Sequence, residues 1–211
     1  MQCAPGPWYV AGSMRVRTLL LASASPRRRA LLEAIGHRVH VKAVDVDEAE
    51  LPGEQPDAYL ARIVDAKLAA GRALAPPFAC DALLVADTAV IVDRRGGQAI
   101  LQKPASDAEG AAMLRALAGR AHRVTTRFAL ATPDGRTHVE SVTTAVLFRA
   151  LDDDEIAAYV RSGEGRDKAG GYAIQGRAAS FVVRIDGSYG AVVGLPSCEV
   201  ELALRRLLPG G

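Results

Sequence analysis

The run Ala82-Leu83-Leu84-Val85-Ala86 resumes, after Asp87 and Thr88, as Ala89-Val90-Ile91-Val92. A stretch this apolar, read over Asp81–Asp93, predicts a strand buried on both faces. It therefore requires further layers to cover it. Asp87 is the anomaly within it. A carboxylate is almost never buried without a partner, because desolvating its charge is costly. The position needs a cation, a metal or a donor, or a strand bend that faces a cleft. Two readings follow: a structural ion pair, or a metal ligand or general base.

The flanking segments alternate strand and helix signals. Val16–Ala22 is a short apolar run that predicts a buried strand. Ser25-Pro26 opens a helix that Gly36 closes. Arg38–Val46 reads as a strand. Asp57–Arg72 reads as a helix with Leu60, Ile63, Val64 and Leu68 on one stripe. Gly96-Gly97 turns the chain into a short strand ending at Leu101. Ser106 and Glu109 form a capping box for a helix that ends at Gly119. Val124–Thr132 and His138–Phe148 pair around Pro133-Asp134-Gly135. Asp152 and Glu155 cap a helix to Ser162, and a glycine-rich loop, Gly163–Gly176, leads to a strand over Ser180–Ile185. Ser197 caps a terminal helix. Some strands are joined by helices and others by tight turns, so the fold class is α/β with a mixed sheet.

Composition closes off several functions. At 211 residues the chain suffices for one domain or two small lobes and buries a core without staples. Its three cysteines, Cys3, Cys80 and Cys198, are too scattered for a disulfide framework or a zinc site. A net charge of +2 does not suggest a polyanion-coating surface. Arginine alternates with acid and only 5% of residues are aromatic, so no nucleic-acid partner is expected. No signal peptide or membrane span is read, and a cytoplasmic location is expected. Residues 1–16 read as a flexible N-terminal extension, with Met14 as an alternative start, and 17–211 as one domain.

One bias stands out. Of 26 basic residues only four, Lys42, Lys67, Lys103 and Lys168, are lysine. An ammonium is a compact point charge and a guanidinium a planar fork. A chain that defaults to arginine marks, by its lysines, places where a point charge is needed. Lys67 falls on the apolar stripe of its helix, so it either snorkels outward or meets something buried and negative. Lys103 sits at a strand end fixed by Pro104. Lys168 lies in the glycine-rich loop.

Two further groups suggest a phosphate site. Ser23-Ala24-Ser25-Pro26-Arg27-Arg28 joins a strand end to a helix start, where free N–H groups favour an anion. Arginines in a first turn oppose the helix dipole unless an anion lies close by. Asp45-Val46-Asp47-Glu48 could join Asp87 in supplying oxygen ligands to Mg²⁺ or Mn²⁺. His37 and His40 are too sparse for a metal site and read as solvated strand histidines.

In order along the chain, these motifs resemble the Maf family of nucleoside triphosphate pyrophosphatases. Leu20-Leu21-Ala22-Ser23-Ala24-Ser25-Pro26-Arg27-Arg28-Arg29 is similar to its N-terminal signature, and Val44-Asp45-Val46-Asp47-Glu48 to its acidic motif. Ala86-Asp87-Thr88, Lys103-Pro104 and Leu117-Ala118-Gly119-Arg120-Ala121-His122 follow in family order. Asp167-Lys168-Ala169-Gly170-Gly171-Tyr172-Ala173-Ile174-Gln175-Gly176 and Val193-Gly194-Leu195-Pro196 resemble the last two. Gly171 where Ala is usual, an insertion at Arg94-Arg95-Gly96-Gly97 and the N-terminal extension are departures.

The resemblance implies an inosine-triphosphatase-like architecture, with a long twisted mixed sheet and two lobes around a central cleft. It implies hydrolysis at the α–β linkage of a nucleoside triphosphate, with a divalent cation such as Mg²⁺, Mn²⁺ or Co²⁺. Asp87 is the implied proton acceptor. Ser23, Arg27, Arg28, Glu48, Lys67 and Lys103 are implied to bind phosphate or metal, with Glu48 and Asp87 on the metal. Lys168, in the late loop, is expected to bind substrate, as are Thr88 and Gln175. Arg27, Thr88 and Gln175 match positions that separate subgroups, and together they resemble the dTTP/UTP branch. The 7-methyl-GTP branch carries Trp at the position of Arg27. A homodimer is also implied. Pyrophosphatase activity on modified nucleotides and a nucleotide-sensing role in septum formation are the alternative expectations.

Overall fold

The computed structural model describes residues 15–74 and 80–209. The expected extension lies, as far as residue 14, outside the described residues, as does Cys3. Seven strands form one mixed sheet in the order β2-β1-β3-β5-β6-β7, with β4 paired to β3. In chain order the elements are β1 (Thr18–Leu21), α1 (Pro26–Ala34), β2 (Arg38–Val41), α2 (Pro56–Ala73), β3 (Ala82–Arg94) and β4 (Gly97–Leu101). These are followed by α3 (Asp107–Leu117), β5 (Ala121–Ala131), β6 (Thr137–Phe148), α4 (Asp153–Ser162), β7 (Val182–Asp186), α5 (Tyr189–Val193) and α6 (Ser197–Leu207). The pairs β1–β2 and β1–β3 are parallel and joined through helices, whereas the other pairs are antiparallel.

The apolar run at 82–92 is the long central strand, as its composition requires. Its two faces alternate. Leu83 and Val85 pack with Val64 and Leu68 of α2, and Ala89 and Ile91 with Leu60 and Ile63. Ala82, Leu84 and Ala86 turn to the other face, where Leu32 of α1 and Val200 and Leu204 of α6 complete the core. The far end of β3 belongs to a different core, built with Leu114, Leu117, Phe148, Ile156 and Phe181. One strand thus runs through two lobes.

The edge of β3 explains where the cleft lies. β1 pairs with it as far as Leu84, and β4 begins to pair at Val90. Between them, among the described residues, no strand covers that edge. Asp87 is in the middle of the gap. The opposite edge is continuously paired with β5 from Leu83 to Ile91, so the interruption is one-sided.

Several boundaries differ from those expected. β2 stops at Val41 rather than Val46, because β1, its only strand partner among the described residues, ends at Leu21 and turns into the Ser23 loop. Ser25 and Pro196 occupy N-cap positions without side-chain capping bonds, and Ser197 lies inside α6. A 3₁₀ turn at Arg177–Phe181 takes up Ser180, so β7 starts at Val182. The Asp152–Glu155 box forms in full. At Ser106 only half forms, since Glu109 accepts from Ala105 N–H instead. His37 is buried, accepts from Arg17 N–H and faces Glu201 at 3.2 Å, so it is no solvated strand histidine.

Candidate active site

Four polar side chains that the core should reject, Ser23, Arg28, Lys67 and Asp87, are all buried and all face one cavity of about 340 Å³. Each is satisfied by another part of the site. Lys67, about three turns into α2, points its ammonium toward Asp87 and Glu48. Nζ lies 2.7 Å from Asp87 Oδ1 and 2.6 Å from Glu48 Oε1. The ion pair and the functional reading of Asp87 therefore coincide, because the cation that licenses its burial is itself a candidate site residue. Lys67 does not snorkel.

Glu48 reaches the cavity from the loop after β2. Burial pushes its carboxyl up, but the Lys67 hydrogen bond and the charges of Lys67, Lys103 and Arg28 outweigh this and hold it below the ordinary carboxylate range. It is ionised at neutral pH. Tyr59, two turns before Lys67 on the same helix, donates to the Glu48 carbonyl at 3.2 Å and braces the loop. Burial, with the charges of Asp87 and Glu48, pushes the Tyr59 hydroxyl up to about 12 despite the opposing influence of Gln102 and Arg62, so it remains a neutral donor. Asp45 and Asp47 are exposed and do not line the cavity. With β2 already ended they have no strand face to share.

Next to this group, the strand-to-helix turn at Ser23–Arg28 also lines the cavity. Arg28 donates through Nε to Gly194 O at 2.9 Å, through Nη1 to Ser23 Oγ at 3.0 Å and through Nη2 to Thr88 Oγ1 at 3.3 Å. Burial pulls its guanidinium below the ordinary value and Asp87 opposes this, yet a guanidinium stays charged. Arg27, half-buried, donates through Nε to Val193 O at 3.3 Å. Two cations thus sit in the first turn of α1 against carbonyls at the end of α5. That placement offsets their conflict with the α1 dipole.

Lys103 and Gln175 are exposed on the rim, and Lys168 is tied to Asp167 at the mouth. The loop that carries Lys168 needs its glycines. Gly170 has φ +73°, and a Cβ there would approach Val90 to 2.9 Å. Apart from Asp45 and Asp47, the residues expected from the sequence, Ser23, Arg27, Arg28, Glu48, Lys67, Asp87, Thr88, Lys103, Lys168 and Gln175, line the same cavity.

Other contributors were not anticipated. Tyr59 shares the Ile63 and Lys67 stripe, so its helical spacing was a usable signal. Thr126, fully buried, faces Thr88 across the β3–β5 pair, with Oγ1 atoms 2.8 Å apart. Only the strand register could have revealed it. Val193 and Gly194 belong to a motif already noted, but no side chain in it signals that their carbonyls accept from Arg27 and Arg28.

Among the described residues no cluster of three or more His, Cys, Asp or Glu side chains could hold a metal ion. Glu48 and Asp87 do fit a Mg²⁺-type ion. Such an ion takes one or two carboxylates and completes its shell with substrate phosphates and water.

The Maf family model, described as Maf-like protein, matches residues 18–207. The chain belongs to the Maf family. A Maf relative from Sphingopyxis alaskensis, named dTTP/UTP pyrophosphatase, is 47% identical over 188 residues, covering 88% of this chain and 94% of its own. One from Burkholderia pseudomallei with the same name is 46% identical over 194 residues, 88% of this chain and 91% of its own. Among solved structures, a nucleoside-triphosphatase / dITP/XTP pyrophosphatase from Mycobacterium abscessus aligns with this Maf chain at a TM-score of 0.42 and 16% identity, over 91% of this chain and 99% of that one. The Maf match spans both lobes and every candidate site residue.

Proposed function

We propose that this chain hydrolyses dTTP and UTP to the nucleoside monophosphate and pyrophosphate. The observation that carries the reading is that the Glu48–Lys67–Asp87 group and the Ser23–Arg28 turn line one cavity. The names of the Maf relatives supply the substrate class.

Hydrolysis places a water oxygen on the α-phosphorus while the bond from that phosphorus to the α–β bridging oxygen breaks. Pyrophosphate departs with the bridging oxygen. The carboxylate of Asp87 takes the water's proton, which requires only that it be ionised and fixed. Lys67 holds one of its oxygens in place at 2.7 Å. Arg27, Arg28, Lys103 and Lys168, with the free N–H groups of α1, spread the negative charge of the phosphate chain and of the departing pyrophosphate. Glu48 and Asp87 would hold a divalent cation of the Mg²⁺, Mn²⁺ or Co²⁺ kind, which neutralises phosphate charge and polarises phosphoryl oxygen. Gln175 offers an amide donor and acceptor to the base. No described helix is long and apolar enough to cross a membrane.

The test is pyrophosphate release from dTTP, UTP, CTP, 5-methyl-UTP, pseudo-UTP and 7-methyl-GTP across Mg²⁺, Mn²⁺ and Co²⁺. Turnover led by dTTP and UTP is expected. Preference for 7-methyl-GTP, or nucleotide binding without turnover, overturns the reading.

A further inference from the structure

Thr126 does not line the cavity, yet its hydroxyl fixes what Thr88 offers to it. Thr126 Oγ1 lies 2.7 Å from the carbonyl oxygen of Ala191 and 2.8 Å from Thr88 Oγ1. A carbonyl only accepts, so the single hydroxyl proton of Thr126 goes to Ala191. The contact with Thr88 is then a hydrogen bond only if Thr88 donates it. Thr88 therefore spends its one proton on Thr126. Arg28 Nη2, a donor, occupies one of its lone pairs at 3.3 Å. What remains for the cavity is a lone pair. Thr126 and Ala191 are fully buried, so no water substitutes for either partner.

An oxygen without a free proton is a poor neighbour for phosphate, whose oxygens also only accept. It suits an N–H donor. We propose that Thr126, acting through Thr88, is a positioning residue that makes the site accept a pyrimidine bearing N3–H and reject one with a bare N3. Uracil and thymine carry that proton; cytosine presents a lone pair there, against which the Thr88 lone pair is repulsive. This rests on the pyrimidine-triphosphate reading above and deepens it. The same chain of bonds runs on through Arg28 to Ser23 and Gly194, so the orientation is set by the whole α1–α5 contact rather than by one side chain.

The test compares kcat/KM for UTP and CTP, by pyrophosphate release, in wild type and in Thr126→Val, Thr126→Ala and Thr126→Ser. Valine keeps the shape but accepts no proton, so Thr88 is freed to turn its hydroxyl toward the cavity. The UTP-to-CTP ratio should then fall by about tenfold or more, mainly through a lower KM for CTP. Serine restores the acceptor and should restore the ratio, which loss of packing alone would not do. Alanine carries the same expectation as valine if the valine variant does not fold. Sugar hydroxyls are shared by UTP and CTP, so a Thr88 that reads the sugar leaves the ratio unchanged. A folded valine or alanine variant with the wild-type ratio overturns the proposal, as does a wild type that does not prefer UTP. A wild type that releases pyrophosphate from UTP, dTTP and CTP alike in no amount instead overturns the activity itself.

Discussion

The two walls of the cavity are built on different principles. The wall around Asp87 is built on charged side chains held by direct contacts: Asp87 and the more exposed Glu48 on Lys67, and Arg28 on the Gly194 carbonyl and the Ser23 and Thr88 hydroxyls. The wall that carries Gln175 is a backbone loop clamped from behind by neutral or peripheral groups. Tyr159 Oη accepts from Ala173 N–H at 2.9 Å and donates to Glu164 Oε1 at 3.1 Å, and Glu164 Oε2 accepts from Arg177 N–H at 3.1 Å. The anchors fall two residues to either side of Gln175. A Cβ on Gly176 would land on the Glu164 carboxylate, so that glycine lets the clamp close. Chemistry on a polyanion needs charges that cannot drift, whereas recognition of a base needs a fixed backbone with an accessible side chain.

The contrast is broken most directly at Asp87. Asp87→Asn should lower kcat by about 10²–10⁴-fold with the melting temperature little changed, the range expected for loss of a general base. Near-normal turnover would remove Asp87 from that role.

The second wall should fail first in acid. His122 is buried beneath the loop, with Nε2 2.8 Å from Tyr172 Oη. Burial lowers its pKa to about 4 from an ordinary 6.5. Between those values the unfolded chain binds a proton that the folded one does not. Stability is therefore full above pH 6.5 and falls as pH drops toward 4, by roughly 2–3 kcal/mol. Thermal melts at pH 7 and 4.5 should show this, and His122→Gln should flatten the difference. An equally steep loss in that variant would assign it elsewhere.

Lys67→Arg tests whether shape matters in the first wall. A planar fork does not place one nitrogen between two carboxylates as a point charge does. We expect kcat to fall about tenfold or more, a loss of positioning, while Lys42→Arg, exposed beyond β2, is silent. Equal activity in both would reduce Lys67 to a generic cation. The smallest effect is expected at Gln175. Gln175→Glu should change the relative turnover of UTP and CTP several-fold, since only one amide group is altered. An unchanged profile would take Gln175 out of recognition.

The sequence carried much of this. Its apolar run made the central strand inevitable, and Asp87 within that run, Lys67 on an apolar helical stripe and Ser23–Arg28 at a strand-to-helix turn each violated a local preference. Such violations survive where another group satisfies them, and so they were legible one residue at a time. The over-long β2 and the misplaced Ser197 cap came from applying local rules where a partner strand ends or a proline intervenes.

What no reading of the residues supplied was the pairing between them. Only the fold left the β3 edge bare between Leu84 and Val90, so that Asp87 and Thr88, on opposite faces of one strand, border a single cavity. Only the β3–β5 register set Thr126 against Thr88, and only the return of α5 brought the Ala191, Val193 and Gly194 carbonyls to Thr126, Arg27 and Arg28. Burial cost is a property of one residue and shows in the sequence, whereas the direction of a hydrogen bond depends on what lies across from it, and that is decided by tertiary structure.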